Sequence, residues 1–148
     1  FPKDYSENKG YSTAELNELY NCMDIFVSTS TSEGWGLTVT EAMAAETLVI
    51  APLHTSLEEL CADKETGELR VIAIQPNELE PVIFVNDGNK VRYKTPLKVL
   101  VERLHWSIDP ETQDAKDQLI KNAKESLNQY NWTESAEKFW VIISKYLN

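Results

Sequence analysis

The chain has few basic residues relative to its acids. Its 14 lysines and arginines stand against 24 aspartates and glutamates, which gives a formal net charge of −10 over 148 residues. Nucleic-acid binding requires a basic surface that neutralises phosphates, and attachment to an anionic membrane surface requires much the same. No run of lysine and arginine forms a stripe along any predicted helix. Both kinds of partner are therefore disfavoured.

Cysteine and histidine are also scarce. The chain has two cysteines, Cys22 and Cys61, which are far apart, and two histidines, His54 and His105. A structural zinc site needs four ligands, commonly in closely spaced pairs, so no zinc site is expected. Both cysteines lie beside apolar helix ends, and we interpret them as free buried thiols in a reducing compartment.

Long apolar runs and a signal peptide are absent as well. A membrane-spanning helix needs about 20 consecutive apolar residues, and no run in the chain approaches that length. These absences predict a cytoplasmic protein. The chain opens on Phe1 rather than on a methionine, which predicts a piece of a longer protein.

The clearest pattern in the chain lies in residues 23–53. Ile25–Val27 and residues 48–50 are short apolar runs of β-forming residues, and residues 37–45 between them favour a helix. Two such runs separated by a helix predict a parallel pair of strands with a crossover. A chain of this length is expected to form one α/β domain with a sizeable core.

The loop between the first strand and the helix is the candidate ligand site. Gly34 and Gly36 predict a tight turn at the carboxyl end of a strand, where open α/β sheets bind ligands. The N–H groups of Gly36, Leu37 and Thr38 are expected to point toward the same mouth. Together with the helix dipole they suit an anion such as a phosphate.

Two carboxylates lie on either side of this turn. Glu33 and Glu41 are separated by seven residues, and neither has a basic neighbour in sequence. An ionised carboxylate accepts several hydrogen bonds, so the pair suits the hydroxyls of a ribose and of a sugar beside a phosphate. The spacing alone is equally compatible with two ordinary solvated acids.

At these residues the chain resembles the C-terminal domain of retaining glycosyltransferases of the two-Rossmann-domain (GT-B) architecture, in particular glycosyltransferase family four, or group 1. The resemblance implies a Rossmann-like parallel sheet flanked by helices, as the C-terminal half of such an enzyme. It rests on Leu19, Tyr20 and residues 23–27, 32–37, 41–45 and 48–51, in the order and spacing of that family.

The resemblance also implies roles for individual residues. Glu33 corresponds to the first glutamate of the family's E-x7-E motif, the candidate catalytic residue that contacts the donor sugar. Glu41 corresponds to the second glutamate, which binds the ribose of the nucleotide. The expected donor-binding residues are Gly34, Trp35, Gly36, Leu37, Thr38, Glu41, His54, Thr55 and Ser56.

The chain departs from the family pattern in two places. Residues 45–47 contain no glycine where the family usually has one before the second strand. Thr55 and Ser56 replace a common Gly-Gly pair, with Glu59 at the acidic position that follows; their side chains would hold the backbone away from a sugar but offer it hydroxyls. His54 precedes them without a visible partner to tune it as a base, so a structural role is the alternative.

The implied reaction moves a sugar, of hexosyltransferase type, from a nucleotide-diphosphate sugar to an acceptor hydroxyl with the anomeric configuration retained. Such enzymes stabilise the leaving diphosphate with cations and backbone dipoles rather than with a strong acid or base. The resemblance implies that no cofactor and no metal ion is required, and no pair of acidic residues is arranged for a metal. The alternatives are a non-catalytic nucleotide-sugar-binding module or a related GT-B enzyme, such as a sugar-nucleotide epimerase. Base, sugar, acceptor and pathway are not readable from the sequence.

The family's acceptor domain, and the start of its donor domain with an Arg and a Lys for the diphosphate, have no counterpart in residues 1–148. We therefore expect a partial donor-binding domain that is inactive alone. Its expected partners are the nucleotide-sugar donor and the missing N-terminal domain of the same protein.

The remaining elements are predicted from local signals. Ser12 with Glu15 forms a capping box for a helix that ends near Asn21. Further predictions are a short helix at 55–62 capped by Thr55 or Ser56, with a second anion site as one interpretation, a strand at 69–74, a hairpin at 83–93, and helices after Pro96, over 111–130 and from Thr133.

The C-terminal helices carry two predictions about packing. Leu97, Leu100, Val101, Leu104 and Ile108 share one face of the helix after Pro96, and we expect that face to pack on the sheet. Tyr130, Trp132 and Trp140 are interpreted as aromatic anchors that fasten these helices to the domain, with a sugar-stacking role as the alternative.

Overall fold

A computed structural model describes residues 10–147, and its centre is a parallel sheet of three strands. The strands are β1 (Ile25–Val27), β2 (Leu48–Pro52) and β3 (Ile72–Ile74), in the order β1-β2-β3. The predicted parallel pair is confirmed, with Phe26 opposite Val49. The fold is the predicted α/β class, a Rossmann-like parallel sheet flanked by helices.

Residues 10–147 form six α-helices. The second and third helices are the crossovers between consecutive strands. The helices are α1 (Thr13–Asn21), α2 (Leu37–Ala44), α3 (Leu57–Cys61), α4 (Leu97–Ile108), α5 (Gln113–Ser126) and α6 (Trp132–Ile143).

Helices cover both faces of the sheet, so β2 is buried along its whole length. Successive side chains of a strand point to opposite faces. Val49 and Ala51 therefore pack with α2 and α3, while Leu48 and Ile50 lie on the other face, toward α4 and part of α5. A two-sided core of this kind is expected for a parallel sheet.

The predicted capping box of α1 is confirmed. The Ser12 hydroxyl accepts the N–H of Glu15, and the Glu15 carboxylate accepts the N–H of Ser12 at 2.8 Å. The helix ends at Asn21 as predicted, and Tyr20 is its one buried residue.

The turn between α2 and β2 is made without glycine, as the sequence indicates. Glu46 adopts the left-handed conformation, with φ of 60°, that glycine adopts most readily at the end of a helix. The N–H of Thr47 donates to the carbonyl of Ala42, and its hydroxyl donates to the carbonyl of Tyr20. These bonds hold Glu46 in a conformation that is unfavourable for its side chain.

The predicted sheet-facing side of α4 is partly wrong. Leu100 and Leu104 pack on the core, but Leu97 is 75% exposed, and Val101 and Ile108 are exposed as well. The face of α4 that meets the sheet differs from the predicted one and includes Arg103, whose Nε donates to the carbonyl of Ala73 at 2.9 Å. The inward face is therefore partly polar, which an apolar periodicity does not reveal.

The predicted hairpin is confirmed as a separate two-stranded sheet. Its strands are β4 (Glu80–Phe84) and β5 (Lys90–Lys94), which pair antiparallel and are longer than predicted. Gly88 and Asn89 provide left-handed residues in the turn. Pro81 lies inside β4, opposite Tyr93.

The predicted aromatic anchors of the C-terminal helices are confirmed only for Tyr130, which packs against the core. Trp132 is 90% exposed and Trp140 is also exposed, so neither fastens α6 to the domain. No residue of α6 is buried among the residues that the structure describes.

The two cysteines differ in their surroundings. Cys61 is fully buried, and that burial raises the pKa of its thiol to about 12 even though the charge of Arg70 opposes the shift. Cys22 is exposed at the end of α1. The expectation of two buried thiols is therefore wrong for Cys22, because the residue that caps this helix faces solvent.

Candidate functional site

The loops that follow β1 and β2 lie side by side at the carboxyl edge of the sheet. The N–H of Ser28 donates to the carbonyl of Ile50 at 2.9 Å, which carries the strand pairing into the first loop. Hydrogen bonds then join residues 30–33 of that loop to residues 54–56 of the second. The structure therefore brings two separately predicted groups of candidate residues into one place.

The tight turn into α2 depends on Gly36. Its φ of 94° is left-handed, and a Cβ built on it would lie 2.7 Å from Cδ2 of Leu57. Any side chain here would be strained and would force the buried side chain of Leu57 to move. Gly34 differs, because its backbone is not left-handed and a Cβ there would meet nothing within 4 Å. The prediction that glycine is needed for the turn is thus confirmed at Gly36 and wrong at Gly34.

The N-terminus of α2 has no side-chain cap. The N–H of Thr40 donates to the carbonyl of Gly36 at 2.9 Å, so Leu37, Thr38 and Val39 precede the first intrahelical donor. Leu37 and Thr38 are exposed. The helix therefore presents backbone donors and the positive end of its dipole at the carboxyl edge of the sheet.

Glu33 is held through its backbone rather than through its side chain. Its N–H donates to Oγ1 of Thr55 at 3.1 Å, and its carbonyl accepts from the hydroxyl of Ser56 at 3.0 Å. The residue is half-buried. Within residues 10–147 its carboxylate makes no hydrogen bond or ion pair, so the carboxylate can accept hydrogen bonds from a ligand.

Glu41 lies in α2, and one of its oxygens is already engaged. The phenol of Tyr20, on α1, donates to Oε2 of Glu41 at 2.9 Å. The burial of Tyr20, its hydrogen bond to Glu41 and the negative charge of Glu41 raise the pKa of the phenol to about 12. The sequence analysis assigns no role to Tyr20, because a contact between residues 21 positions apart cannot be read from local patterns.

The expected cap of α3 by Thr55 or Ser56 is wrong. Ser56 has φ of −64° and ψ of −22°, which is helical rather than the extended conformation of a capping residue, and α3 has no side-chain cap. Both hydroxyls bind the backbone of Glu33 instead. The second anion site that depended on this cap has no support, and α3 is only five residues long.

His54 is buried and hydrogen-bonded at both ring nitrogens. Nε2 lies 2.9 Å from the carbonyl of Ser30, and Nδ1 lies 3.3 Å from Oγ1 of Thr55. A carbonyl only accepts, so Nε2 carries a hydrogen, and Nδ1 is then available to accept from the Thr55 hydroxyl. These contacts support the structural role that the sequence left as an alternative.

Trp35 connects the candidate site to the C-terminal part of the domain. Its Nε1 donates to Oγ1 of Thr40 at 3.1 Å, and its ring meets that of Tyr130 edge to face, with centroids 4.8 Å apart. Trp35 remains 41% exposed. An aromatic surface is therefore available beside the turn.

The arginines of the chain do not bind the residues of this turn. All three arginines of the chain bind carboxylates elsewhere: Arg70 binds Asp63, Arg92 binds Asp87 and Arg103 binds Glu78. Backbone N–H groups, and to a lesser extent Arg70, lower the pKa of the Asp63 carboxyl. Side-chain hydrogen bonds from Arg92 and Lys90 lower the pKa of Asp87. Burial opposes the shift at Glu78, but a backbone N–H and Arg103 lower its pKa nonetheless.

Among residues 10–147, no group of three or more His, Cys, Asp or Glu side chains is placed to hold a metal ion. In the same part of the chain, no helix combines the length and the apolar character that crossing a membrane requires.

The chain matches the model of a known protein family. The model of the family described as "Glycosyl transferases group 1" matches residues 7–82, which is more than half of the chain. The matched range contains both glutamates, the turn between them and residues 54–56, and it ends within β4. No curated protein matches the chain.

Proposed function

Because the chain belongs to the group 1 glycosyl transferases, we propose that the turn between Glu33 and Glu41 is the donor site of a retaining glycosyltransferase. The donor is a nucleotide-diphosphate sugar, and the acceptor is a hydroxyl group. The observation that carries the proposal is the open N-terminus of α2 between the two glutamates, at the carboxyl edge of a parallel sheet.

Glu41 is proposed to bind the ribose. The Tyr20 phenol occupies Oε2 of Glu41, which leaves Oε1 to accept hydrogen bonds from ribose hydroxyls. A carboxylate whose orientation is already set binds such a ligand with less loss of side-chain entropy.

Glu33 is proposed as the catalytic residue that contacts the donor sugar. The clamping of its backbone by Thr55 and Ser56 leaves the carboxylate as its available polar group. Gly34 and Trp35 follow directly, and the open space above Gly34 allows a ligand to approach the backbone closely. The exposed ring of Trp35 offers a surface for the sugar or the base.

The diphosphate is proposed to lie against the N–H groups of Gly36, Leu37 and Thr38. Backbone donors and the helix dipole stabilise negative charge that develops on the leaving diphosphate, without a metal ion. The three arginines bind other carboxylates and so are not available to the diphosphate. Further positive charge would stabilise it there. We propose that this charge comes from the rest of the donor domain and from an N-terminal acceptor domain, and that residues 1–148 alone are inactive.

The first test is a titration of the isotope-labelled chain with uridine, guanosine and adenosine diphosphates and with the corresponding sugar nucleotides, followed through backbone amide signals. We expect shifts concentrated in residues 34–41. Glu41→Ala should weaken them, whereas Glu125→Ala, at an exposed position on α5, should not.

Transfer by the full-length protein gives the second test. Glu33→Ala and Glu41→Ala should each reduce transfer by about a hundredfold or more if the carboxylates act in the transition state. Unchanged transfer in both variants would overturn the roles given to them. Binding without any transfer by the full-length protein would instead indicate a non-catalytic nucleotide-sugar module.

A further inference from the structure

We infer that His54, Thr55 and Ser56 form a positioning clasp that fixes the backbone of Glu33 before a donor binds. The inference rests on the proposed function, because it concerns how the proposed catalytic residue is held. It assigns these three residues a role through Glu33 rather than through direct contact with the donor.

The clasp is made of three consecutive residues that bind three backbone groups of the neighbouring loop. His54 Nε2 binds the carbonyl of Ser30 at 2.9 Å, Thr55 Oγ1 accepts the N–H of Glu33 at 3.1 Å, and Ser56 donates to the carbonyl of Glu33 at 3.0 Å. Both peptide groups that flank the Glu33 Cα are therefore anchored to the same turn.

The backbone of Thr55 is strained in the conformation that makes these contacts. Its φ of 54° lies in the left-handed region, which a β-branched residue rarely adopts. Such a conformation persists where the surroundings enforce it. A glycine at position 55 would relieve the strain, but it would leave the N–H of Glu33 without its acceptor.

Anchoring Glu33 has a specific consequence for binding. Gly34 follows directly and the next glycine is Gly36, so the loop would otherwise lose much backbone freedom when a ligand orders it. Fixing the Cα of Glu33 in advance lowers that entropic penalty and places the carboxylate in a productive position. Glu41 is held separately by Tyr20, so the clasp should act on the donor sugar and not on the nucleotide.

Two variants remove the clasp bonds to Glu33. Thr55→Gly removes an acceptor together with the backbone strain, and Ser56→Ala removes a donor. The donor used is whichever of the uridine, guanosine and adenosine diphosphate sugars binds most tightly in the titration above. We expect kcat/KM for transfer by the full-length protein to fall about threefold to tenfold in each variant, with an unchanged Kd for the nucleoside diphosphate alone.

Stability measurements separate positioning from simple folding. Thr55→Gly relieves strain but loses the hydrogen bonds of the hydroxyl to Glu33 and His54, so its melting temperature should change little although its kcat/KM falls. Thr55→Ser, which keeps the hydroxyl, should restore most of the lost kcat/KM. Asn89→Gly replaces another left-handed residue by glycine, in the hairpin, and should leave transfer unchanged.

A double-mutant cycle with Glu33→Gln completes the test. If the clasp acts through Glu33, adding Thr55→Gly or Ser56→Ala to Glu33→Gln causes little further loss. Fully additive losses would overturn the inference and indicate direct contact with the donor. If Glu33→Gln is impaired but the clasp variants transfer normally, the inference is overturned and the proposed function stands. If Glu33→Gln transfers normally, the proposed function itself is overturned.

Discussion

The phenol of Tyr20 donates a hydrogen bond of 2.9 Å to Oε2 of Glu41, and so connects α1 to the glutamate proposed to bind ribose. Tyr20 is buried, and its ring lies 5.9 Å from that of Phe26 on β1. The carbonyl of Tyr20 also accepts the hydroxyl of Thr47 at the start of β2. The orientation of Glu41 is therefore set from the core of the domain.

Removal of this hydroxyl should weaken nucleotide binding. Tyr20→Phe keeps the buried ring but leaves Glu41 without its donor, so we expect a Kd for the nucleoside diphosphate about threefold to tenfold higher. Isothermal titration of the preferred diphosphate measures the change. Tyr146→Phe, which alters an exposed tyrosine, serves as the control. Equal affinity in all three proteins would show that the bond does not orient Glu41.

The stabilisation that this bond provides should disappear at high pH. The pKa of Tyr20 is raised from 10 in the unfolded chain to about 12, so folding favours the neutral phenol. The contribution is complete below about pH 10 and is lost as the pH rises through about 12. Urea unfolding at pH 8 should show wild type more stable than Tyr20→Phe by about 1–2 kcal/mol. The gap should narrow steadily between pH 10 and 12, and a gap that stays constant would contradict the assignment.

The two cysteines should react at very different rates. Cys22 is exposed, whereas Cys61 is buried with its thiol pKa raised to about 12, and only the thiolate is reactive. A maleimide should label one site in the native chain and both sites in urea, with mass spectrometry to locate them. Native labelling of Cys61 as fast as that of Cys22 would show that the α3 region opens readily. Cys22→Ser provides a background with Cys61 alone.

Glu46→Gly should stabilise the domain. The left-handed conformation at φ of 60° is unfavourable for a residue with a Cβ, and the ion pair that Glu46 forms with Lys124 is exposed and contributes little. Allowing for the greater freedom of glycine in the unfolded chain, we expect a net gain of about 0.5–1 kcal/mol. Glu46→Ala, which loses the ion pair and keeps the strain, should show no gain. Thermal unfolding of the three proteins compares them.

Local signals predicted much of the fold, because they depend on neighbouring residues. The Ser12–Glu15 capping box and the turn of the hairpin were readable for that reason. Contacts between distant segments were not. Tyr20 contacts Glu41 only after α1 and α2 pack together. Thr55 forms a hydrogen bond with the neighbouring loop rather than capping its own helix.

Apolar periodicity had a related limit, since it identifies a face but not what that face contacts. On α4, Arg103 also faces the sheet, so the inward face is not the apolar face that was predicted. On α6 the apolar spacing was correct as a pattern, yet Trp140 and the rest of that face find no core within the described residues. The candidate glutamates themselves were identified from sequence, but the contacts that orient them required the structure.

The commitment of all three arginines to other carboxylates has a consequence for the kinetics of association. A nucleoside diphosphate is an anion, and these 148 residues carry a formal charge of −10, so approach to the turn occurs against net repulsion. Dissolved salt screens that repulsion over about 10 Å at 0.1 M. Binding to the isolated chain should therefore become faster as ionic strength rises, which is opposite to the behaviour of sites that attract their substrates by charge.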